Sequence, residues 1–184
     1  DTAALARDYG RVQDYVRPKN PHPDSVLWRS RYRPVRPQAD ILHSQAGFWG
    51  QRGIHYHQFL EAGENTLNLK LSRLLMDSLL ARGEYDQEDY LDRYVAFMTT
   101  PGTHNDTYVE ECHREFFQAW APHKKGPPAR LPDEKHIGGL SLALPLLLFY
   151  HDRWDTALHL AEAHLALTHP GGLMRNALAC FAGI

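Results

Sequence analysis

Apolar residues recur at three- and four-residue spacing along the segment that follows Gly63. The repeating positions are Leu67, Leu71, Leu74, Leu75 and Leu79. This period places apolar side chains on one face of an α-helix, and glycine, here Gly83, is a residue type at which helices commonly end. The pattern therefore predicts an amphipathic helix from Leu67 to Arg82.

The helical period continues through later segments. Asp86, with Asp89 three positions on, resembles a capping box, Asp106 can cap another helix, and Pro145 should bend an apolar one. Almost no segment alternates apolar and polar residues as a strand would, so we predict the all-α class. The predicted segments run from Asp86 to the Pro101-Gly102 stop, from Asp106 to Trp120, from Leu140 to Tyr150, from Asp152 or Asp155 to Leu167, and from Leu173 to Phe181.

The stretch from Pro18 to Gln51 (residues 18–51) departs from this pattern, because five prolines with four arginines among them interrupt it. Each proline removes a backbone donor and biases its predecessor away from helix, so we expect a long extended or turn-rich arm. Its four large aromatic residues indicate that it packs against something, either over a pocket or on a neighbour. Trp28 and Arg31 are types enriched at interface hot spots, which makes the arm a candidate surface for protein partners.

Composition narrows the class of protein. The chain has 184 residues, 20 Lys and Arg against 22 Asp and Glu, a formal net charge of −2 and 43% hydrophobic residues. These values fit a single globular domain over residues 1–184 and are unlike a disordered chain or a basic nucleic-acid binder. No apolar run approaches the length that spans a bilayer. We therefore expect neither nucleic acid nor membrane as a partner.

Cysteine and histidine usage adds two expectations. Cys112 and Cys180 lack a CxxC partner, which is typical of reduced thiols in a cytoplasmic protein, and charged residues within the first eight positions are unlike a signal peptide. The 12 histidines include close spacings such as His55-x-His57, but none is a zinc signature. We therefore expect structural or surface roles for most of them. Phosphate-loop, dinucleotide, nucleophile-elbow and zincin motifs are absent.

Polar residues cluster where the helix from Leu67 begins. Glu64, Asn65 and Thr66 place an acid, an amide and a hydroxyl together. Oxygen ligands of this kind bind hard cations such as magnesium. The same residues are also what a helix start selects, because Asn65 or Thr66 can cap it and Glu64 suits the positive end of the helix dipole.

A second polar cluster runs from His104 to His113. Asp106 and Glu110 stand four residues apart, hence on one face of a helix, and could supply two carboxylates to a cation or a catalytic water. Alternatively, Asp106 is an N-cap on a solvated face.

Two glycine-containing segments complete the set. Gly138 and Gly139 precede an apolar helix, where free backbone N–H groups can meet an anion, although helix packing or a tight turn explains two glycines as well. His169, before Pro170-Gly171-Gly172, could contact a ligand or satisfy the last carbonyls of a helix.

Taken in order, these four clusters resemble the ADP-ribosylglycohydrolase family, all-α hydrolases built as orthogonal multi-helix bundles. In that family a Thr-Asp-Asp-Thr segment opens a long helix and ligates two magnesium ions, and Gly63-Glu64-Asn65-Thr66 stands in its place here. The glycine pair before a proline-containing helix and the Thr168-His169-Pro170 segment resemble two later parts of the family pattern. The likeness covers most of the chain.

Two departures from the family pattern matter. Asn65 stands where the family carries an aspartate, and Glu64 replaces the other aspartate with a longer side chain. A neutral amide is a poorer ligand for a hard dication. The family's Asp-x-Asp segment has no counterpart after Gly172, and its opening helix has none before Asp1, so we expect a partial domain.

The resemblance implies a function and a set of roles. The function is magnesium-assisted hydrolysis of the glycosidic bond of ADP-ribosylated proteins or of a small ADP-ribose-type ligand. Asp106 and Glu110 are our own candidates for replacing the missing carboxylate. The expected roles are Glu64, Asn65, Thr66 and Glu110 as metal ligands, Glu64 and Asp106 as catalytic groups, and Gly138, Gly139 and His169 as substrate contacts.

Three functions remain open at this point. The first is the hydrolase. The second is a catalytically inactive relative that serves as a structural or interaction module in a larger assembly. The third is a module that binds ADP-ribose without cleaving it. The eroded acidic motif favours an inactive relative, while the polar residues retained in all four clusters favour the enzyme. An Asp-x-Asp segment beyond Ile184 in a longer protein would favour the enzyme.

Overall fold

The computed structural model describes residues 2–11, 26–121 and 126–183, and the secondary structure within these ranges is helical with no strand. The all-α prediction is therefore confirmed. The α-helices are α1 (Thr2–Tyr9), α2 (Val26–Arg29), α3 (Leu67–Arg82), α4 (Gln87–Thr99), α5 (Glu111–Ala119), α6 (Leu140–Phe149), α7 (Trp154–Leu165) and α8 (Gly172–Ala182). The apolar spacing does not predict α1.

The helices with the clearest sequence signals form as predicted. α3 spans Leu67–Arg82 and ends at Gly83, whose φ of 73° is in the left-handed region and whose amide donates to the Leu79 carbonyl at 2.8 Å. α4 begins after Asp86, and the Asp86 side chain accepts a hydrogen bond from the Asp89 amide. Residues close in sequence therefore set both the end of α3 and the start of α4.

The prediction that Asp106 caps the following helix is wrong. α5 begins at Glu111, and Glu110 occupies the N-cap position without a side-chain capping hydrogen bond. Asp106 instead accepts a hydrogen bond from the Leu67 amide at 3.1 Å, so it caps α3 from a distant part of the chain. Asp106 and Glu110 both precede the helix and do not share a helical face.

The apolar helix α6 lies at the centre, packed against α3 on one side and α7 on another, with α8 against both α6 and α7 and α4 against α3. Pro145 lies inside α6 and cannot donate to the carbonyl of Ser141, four residues earlier. The Ser72 hydroxyl of α3 donates to that carbonyl at 2.9 Å. α3 therefore satisfies the acceptor that the proline leaves free.

The Pro-rich arm folds back onto the helices over residues 26–51, the part of it that the structure describes; residues 18–25 lie outside the described ranges. It contains α2 and two 3₁₀ turns, Pro37–Ala39 and His43–Phe48. The Trp49 indole N–H donates to the Thr107 carbonyl at 2.7 Å, and the Arg36 guanidinium donates to the Trp120 carbonyl. The arm thus shares the hydrophobic core with the helices. Among the described helices, none is long and apolar enough to cross a bilayer.

Candidate functional site

The four polar clusters of the sequence meet near the starts of α3, α5 and α6, where they form two groups. We call Glu64, Lys70, Asn105 and Asp106 the ion-pair group, and Glu110, Cys112, His113 and His169 the Cys–His cluster. Asn68, on the first turn of α3, lies between them: its amide nitrogen is 3.5 Å from a Glu110 carboxylate oxygen and 3.5 Å from the Gly138 carbonyl oxygen.

Lys70 is the centre of the ion-pair group. Its Nζ lies 2.6 Å from Glu64 Oε1 and 3.5 Å from Asp106 Oδ2. The Asn105 amide donates to the same Glu64 oxygen at 3.3 Å. The other Glu64 oxygen accepts from the Glu61 backbone amide at 2.8 Å. Both oxygens of Glu64 are therefore already engaged within the chain.

The charge balance of this group keeps Glu64 ionised. Partial burial would raise the pKa of the Glu64 carboxyl, but the hydrogen bonds from Lys70 and Glu61 and the positive charge of Lys70 outweigh it, so the pKa lies below its ordinary value. Asp106 is more deeply placed, with a side chain 2% exposed. Besides capping α3, it lies 4.0 Å from the Nδ1 atom of His104. Burial lowers the pKa of His104.

Two of the predicted metal ligands take no part in this group. The Asn65 side chain is exposed. Thr66 is the N-cap residue of α3 in an extended conformation, but its side chain makes no capping hydrogen bond. The structure therefore places Glu64 with Lys70 and Asp106, while Asn65 is exposed and Thr66 contributes its backbone to the helix start.

The Cys–His cluster brings together four donor atoms from two segments, the start of α5 and the end of α7. Three of the distances form a nearly regular triangle: Cys112 Sγ to His169 Nε2 is 3.2 Å, His169 Nε2 to Glu110 Oε2 is 3.8 Å, and Cys112 Sγ to Glu110 Oε2 is 4.0 Å. With His113 included, one donor atom from each residue lies within 4.8 Å of the others.

The three ring and sulfur donors are buried, whereas Glu110 reaches the surface with 39% of its side chain exposed. Complete burial lowers the pKa of His113 to about 3, and burial, with the Glu110 charge, raises the pKa of the Cys112 thiol well above its usual value. The nearby His169 lowers the pKa of Glu110. The cluster therefore holds a neutral imidazole, a neutral thiol and an ionised carboxylate.

Side chains of this cluster leave little room for a Cβ atom at the two adjacent glycines, Gly138 and Gly139. A Cβ atom on Gly139 would lie 2.6 Å from the His169 Cδ2 atom, and one on Gly138 would lie 3.1 Å from a Glu110 oxygen. The packing explanation left open by the sequence thus accounts for Gly139. The nearby Glu110 carboxylate also sets a negative charge beside the start of α6, where an anion would otherwise be favoured.

The sequence analysis assigned no role to five of the residues in these contacts: Asn68, Lys70, Asn105, Cys112 and His113. Asn68 and Lys70 lie in the amphipathic part of α3, where polar residues need no function. The nearest available signal for the cysteine and the histidine was that they are adjacent, directly after two acidic residues. A search for histidine pairs alone does not detect it, because the partner His169 comes from a distant helix end.

The comparison with known protein families agrees with the resemblance found in the sequence. The model of the ADP-ribosylglycohydrolase family matches residues 25–184. No curated protein and no solved structure shows significant similarity to the chain. The family match spans most of the chain, including both polar groups and the helices α2 to α8 that position them. The chain therefore belongs to the ADP-ribosylglycohydrolase family.

Proposed function

We propose that this chain recognises an ADP-ribosyl group, the substrate class that its family implies, and that residues 63–66 do not hold magnesium for its hydrolysis. The observation that carries the proposal is the Lys70 ammonium between two carboxylates, 2.6 Å from Glu64 and 3.5 Å from Asp106. It supplies the positive charge that a cation would otherwise bring.

The residues present do not fit a magnesium ion at this segment. Magnesium requires oxygen ligands in near-octahedral geometry and loses its water reluctantly. Glu64 is the one carboxylate of the segment, and Lys70, Asn105 and the Glu61 amide already use its oxygens. A dication entering here would have to break the ion pair and lie close to a fixed ammonium group, which Coulomb repulsion opposes.

The recognition surface that we propose lies next to segment 63–66, at the first turn of α3. Asn68, the half-exposed Glu110 and the exposed backbone of Gly138 adjoin one another. Amide, carboxylate and carbonyl groups accept hydrogen bonds from the hydroxyls of a ribose. The Glu110 charge disfavours a phosphate at the same place, so the ribose and not the pyrophosphate would face this surface.

Magnesium-assisted hydrolysis is the second candidate function, and the family match favours it. In that case the partly exposed Glu110, close to His169, is the carboxylate in reach of a substrate. Asp106 is a poor candidate for a catalytic group, because its side chain is 2% exposed and one oxygen caps α3.

The proposal is tested by calorimetric titration of ADP-ribose and of magnesium into the protein. We expect Asn68→Ala to weaken ADP-ribose binding about tenfold, the loss of roughly one hydrogen bond. The matched variant Asn65→Ala should bind as the wild type does, because its amide is exposed and lies outside the surface. Equal weakening by both variants would contradict the assignment to Asn68.

The same titration separates the two functions. We expect no magnesium binding that depends on Glu64. Binding of that kind would be lost in Glu64→Gln and kept in the control Glu84→Gln, where the glutamate is exposed. In an activity assay we also expect no release of ADP-ribose from an ADP-ribosylated protein when magnesium is added. Glu64-dependent binding of the ion would contradict the exclusion of magnesium, and magnesium-dependent release would establish the hydrolase instead.

A further inference from the structure

The Cys–His cluster has the composition of a transition-metal site and not of a magnesium site. Thiolate and imidazole are the ligands that zinc and its neighbours prefer, whereas magnesium selects oxygen. The cluster offers one sulfur, two imidazoles and one carboxylate, with one donor atom of each within 4.8 Å of the others. The cluster shares Glu110 with the proposed recognition surface, but the inference does not rest on ADP-ribose recognition, because it is argued from the donor atoms of the cluster alone.

The donor separations suit a small tetrahedral ion. Zinc bonds of about 2.0–2.3 Å place neighbouring ligand atoms roughly 3.5 Å apart. The three separations among Cys112, His169 and Glu110 are 3.2, 3.8 and 4.0 Å. A cation could bind there after movements of a few tenths of an ångström in these three side chains.

Both histidines are held in the orientation that a metal site requires. His113 Nδ1 lies 2.8 Å from the Tyr94 hydroxyl, and His169 Nδ1 lies 2.8 Å from the Thr168 hydroxyl. A metal-bound histidine almost always has its second nitrogen hydrogen-bonded, which holds the ring in place. With Nδ1 donating its proton to the hydroxyl oxygen, the Nε2 atom of each ring is left as the ligand.

One of these atoms has no partner within the described part of the chain. His113 Nε2 is buried and makes no hydrogen bond, on a residue with no exposed surface. A buried polar atom without a partner is destabilising, and such an atom calls for a specific explanation. A bound cation would give His113 Nε2 a ligand bond.

A catalytic cysteine is the main alternative for Cys112 beside His169. A nucleophilic cysteine needs a lowered pKa and access to substrate. Cys112 is buried, and burial raises its pKa. The alternative therefore does not fit the position.

We propose that Glu110, Cys112, His113 and His169 form a four-coordinate site for a divalent transition metal, zinc foremost. Three buried ligands and one ligand at the surface would join the start of α5 to the end of α7. Metal binding displaces the thiol proton to solvent, so that sulfur coordinates as the thiolate.

Cobalt(II) titration of the metal-free protein tests the site, because a tetrahedral cobalt thiolate site shows a sulfur-to-metal charge-transfer band and intense visible bands. We expect one cobalt ion per chain, displaced by zinc and not by magnesium. Cys112→Ser should abolish the charge-transfer band, whereas the matched Cys180→Ser, at the exposed cysteine, should retain it.

A graded series guards against a variant that merely misfolds. His169→Gln should weaken zinc binding by about 100-fold or more, and Tyr94→Phe, which removes only the partner of His113, by about 10- to 100-fold. The exposed His159→Gln should bind zinc normally. Circular dichroism of each metal-free variant identifies those that remain folded.

Results of two kinds would overturn the proposed metal site. A charge-transfer band that survives Cys112→Ser, or one that is absent from the wild type, overturns the site. Zinc affinity that Tyr94→Phe and His169→Gln leave unchanged in folded protein overturns it as well. These readouts measure metal binding and contain no ADP-ribose, so failure of ADP-ribose recognition leaves them unchanged although both proposals include Glu110.

Discussion

The two glycines at the start of α6 illustrate how a single residue depends on distant side chains. Gly138 is exposed, and a Cβ there would meet a Glu110 oxygen at 3.1 Å, which a partly exposed carboxylate can relieve by moving. Gly139 is buried, and a Cβ there would lie between 2.6 and 2.8 Å from three atoms of the His169 ring. The ring is itself held by Cys112 and Thr168, so it cannot move without cost.

Gly139→Ala is therefore expected to lower the free energy of unfolding by about 1–3 kcal/mol, the usual cost of overpacking. Urea denaturation measures the change. Gly172→Ala is the control, because no atom lies within 4 Å of its new Cβ and its φ is not positive. Its stability should stay within about 1 kcal/mol of the wild type. Equal stability of the two variants would show that His169 is not packed against this backbone.

At the scale of elements, α3 and α6 are matched by their backbone chemistry as well as by apolar packing. Pro145 leaves the Ser141 carbonyl without its intrahelical donor. The Ser72 hydroxyl lies 2.9 Å from that carbonyl and 2.9 Å from the Asn68 carbonyl of its own helix. Pro145 of α6 and Ser72 of α3 thus form one unit, which explains how α6 tolerates a proline in its interior.

A double-mutant cycle tests this unit. Ser72→Ala should lower the free energy of unfolding by about 1 kcal/mol in the wild-type background, because it removes the hydroxyl donor of the partly buried Ser141 carbonyl. In the Pro145→Ala background it should cost less, since the alanine amide can donate to Ser141. Thermal or urea unfolding of the four proteins gives the coupling energy.

Ser78→Ala provides the comparison for that cycle. The Ser78 hydroxyl donates to Asp89 of α4 at 2.7 Å, away from the proline unit. Its effect should therefore add to that of Pro145→Ala. If Ser72→Ala lowered the free energy of unfolding equally in both backgrounds, the new backbone amide at position 145 would not replace the Ser72 hydroxyl as the donor to Ser141.

At the scale of the whole molecule, the Pro-rich arm is joined to the helices by a tryptophan. Trp49 is 8% exposed, donates to the Thr107 carbonyl at 2.7 Å and stacks on Tyr108 with ring centroids 5.6 Å apart. Trp28, by contrast, is half-buried and its ring faces the Arg52 guanidinium at 4.2 Å. Its role in binding a protein partner stays a prediction.

Trp49→Ala should lower the free energy of unfolding by about 3–5 kcal/mol, as expected when a large buried aromatic side chain is removed. Trp28→Ala should cost much less, about 1 kcal/mol, because this side chain is only half-buried and removes less apolar surface from water. Urea unfolding followed by circular dichroism compares the two. If Trp49→Ala were as stable as the wild type, the arm would not contribute to the core.

Much of the secondary structure could be predicted because its causes are local. The leucine spacing of α3, its end at Gly83 and the Asp86 cap of α4 each depend on residues within a few positions of one another. The same local logic gave Asp106 the wrong role, since a capping residue before an apolar run is indistinguishable in sequence from one that caps another helix. The family resemblance rested on four short clusters in order, and the family match confirmed it.

The sequence by itself determined that the segments of α3 to α8 become helical, where most of these helices end and to which family the chain belongs, because periodicity, capping and motif order are properties of neighbouring residues. Only the tertiary structure decided that Lys70 pairs with Glu64 and Asp106, and that Cys112 and His113 meet His169. These contacts join residues many positions apart, and helix packing, not sequence spacing, sets their distances. The chemistry of both groups follows from that packing.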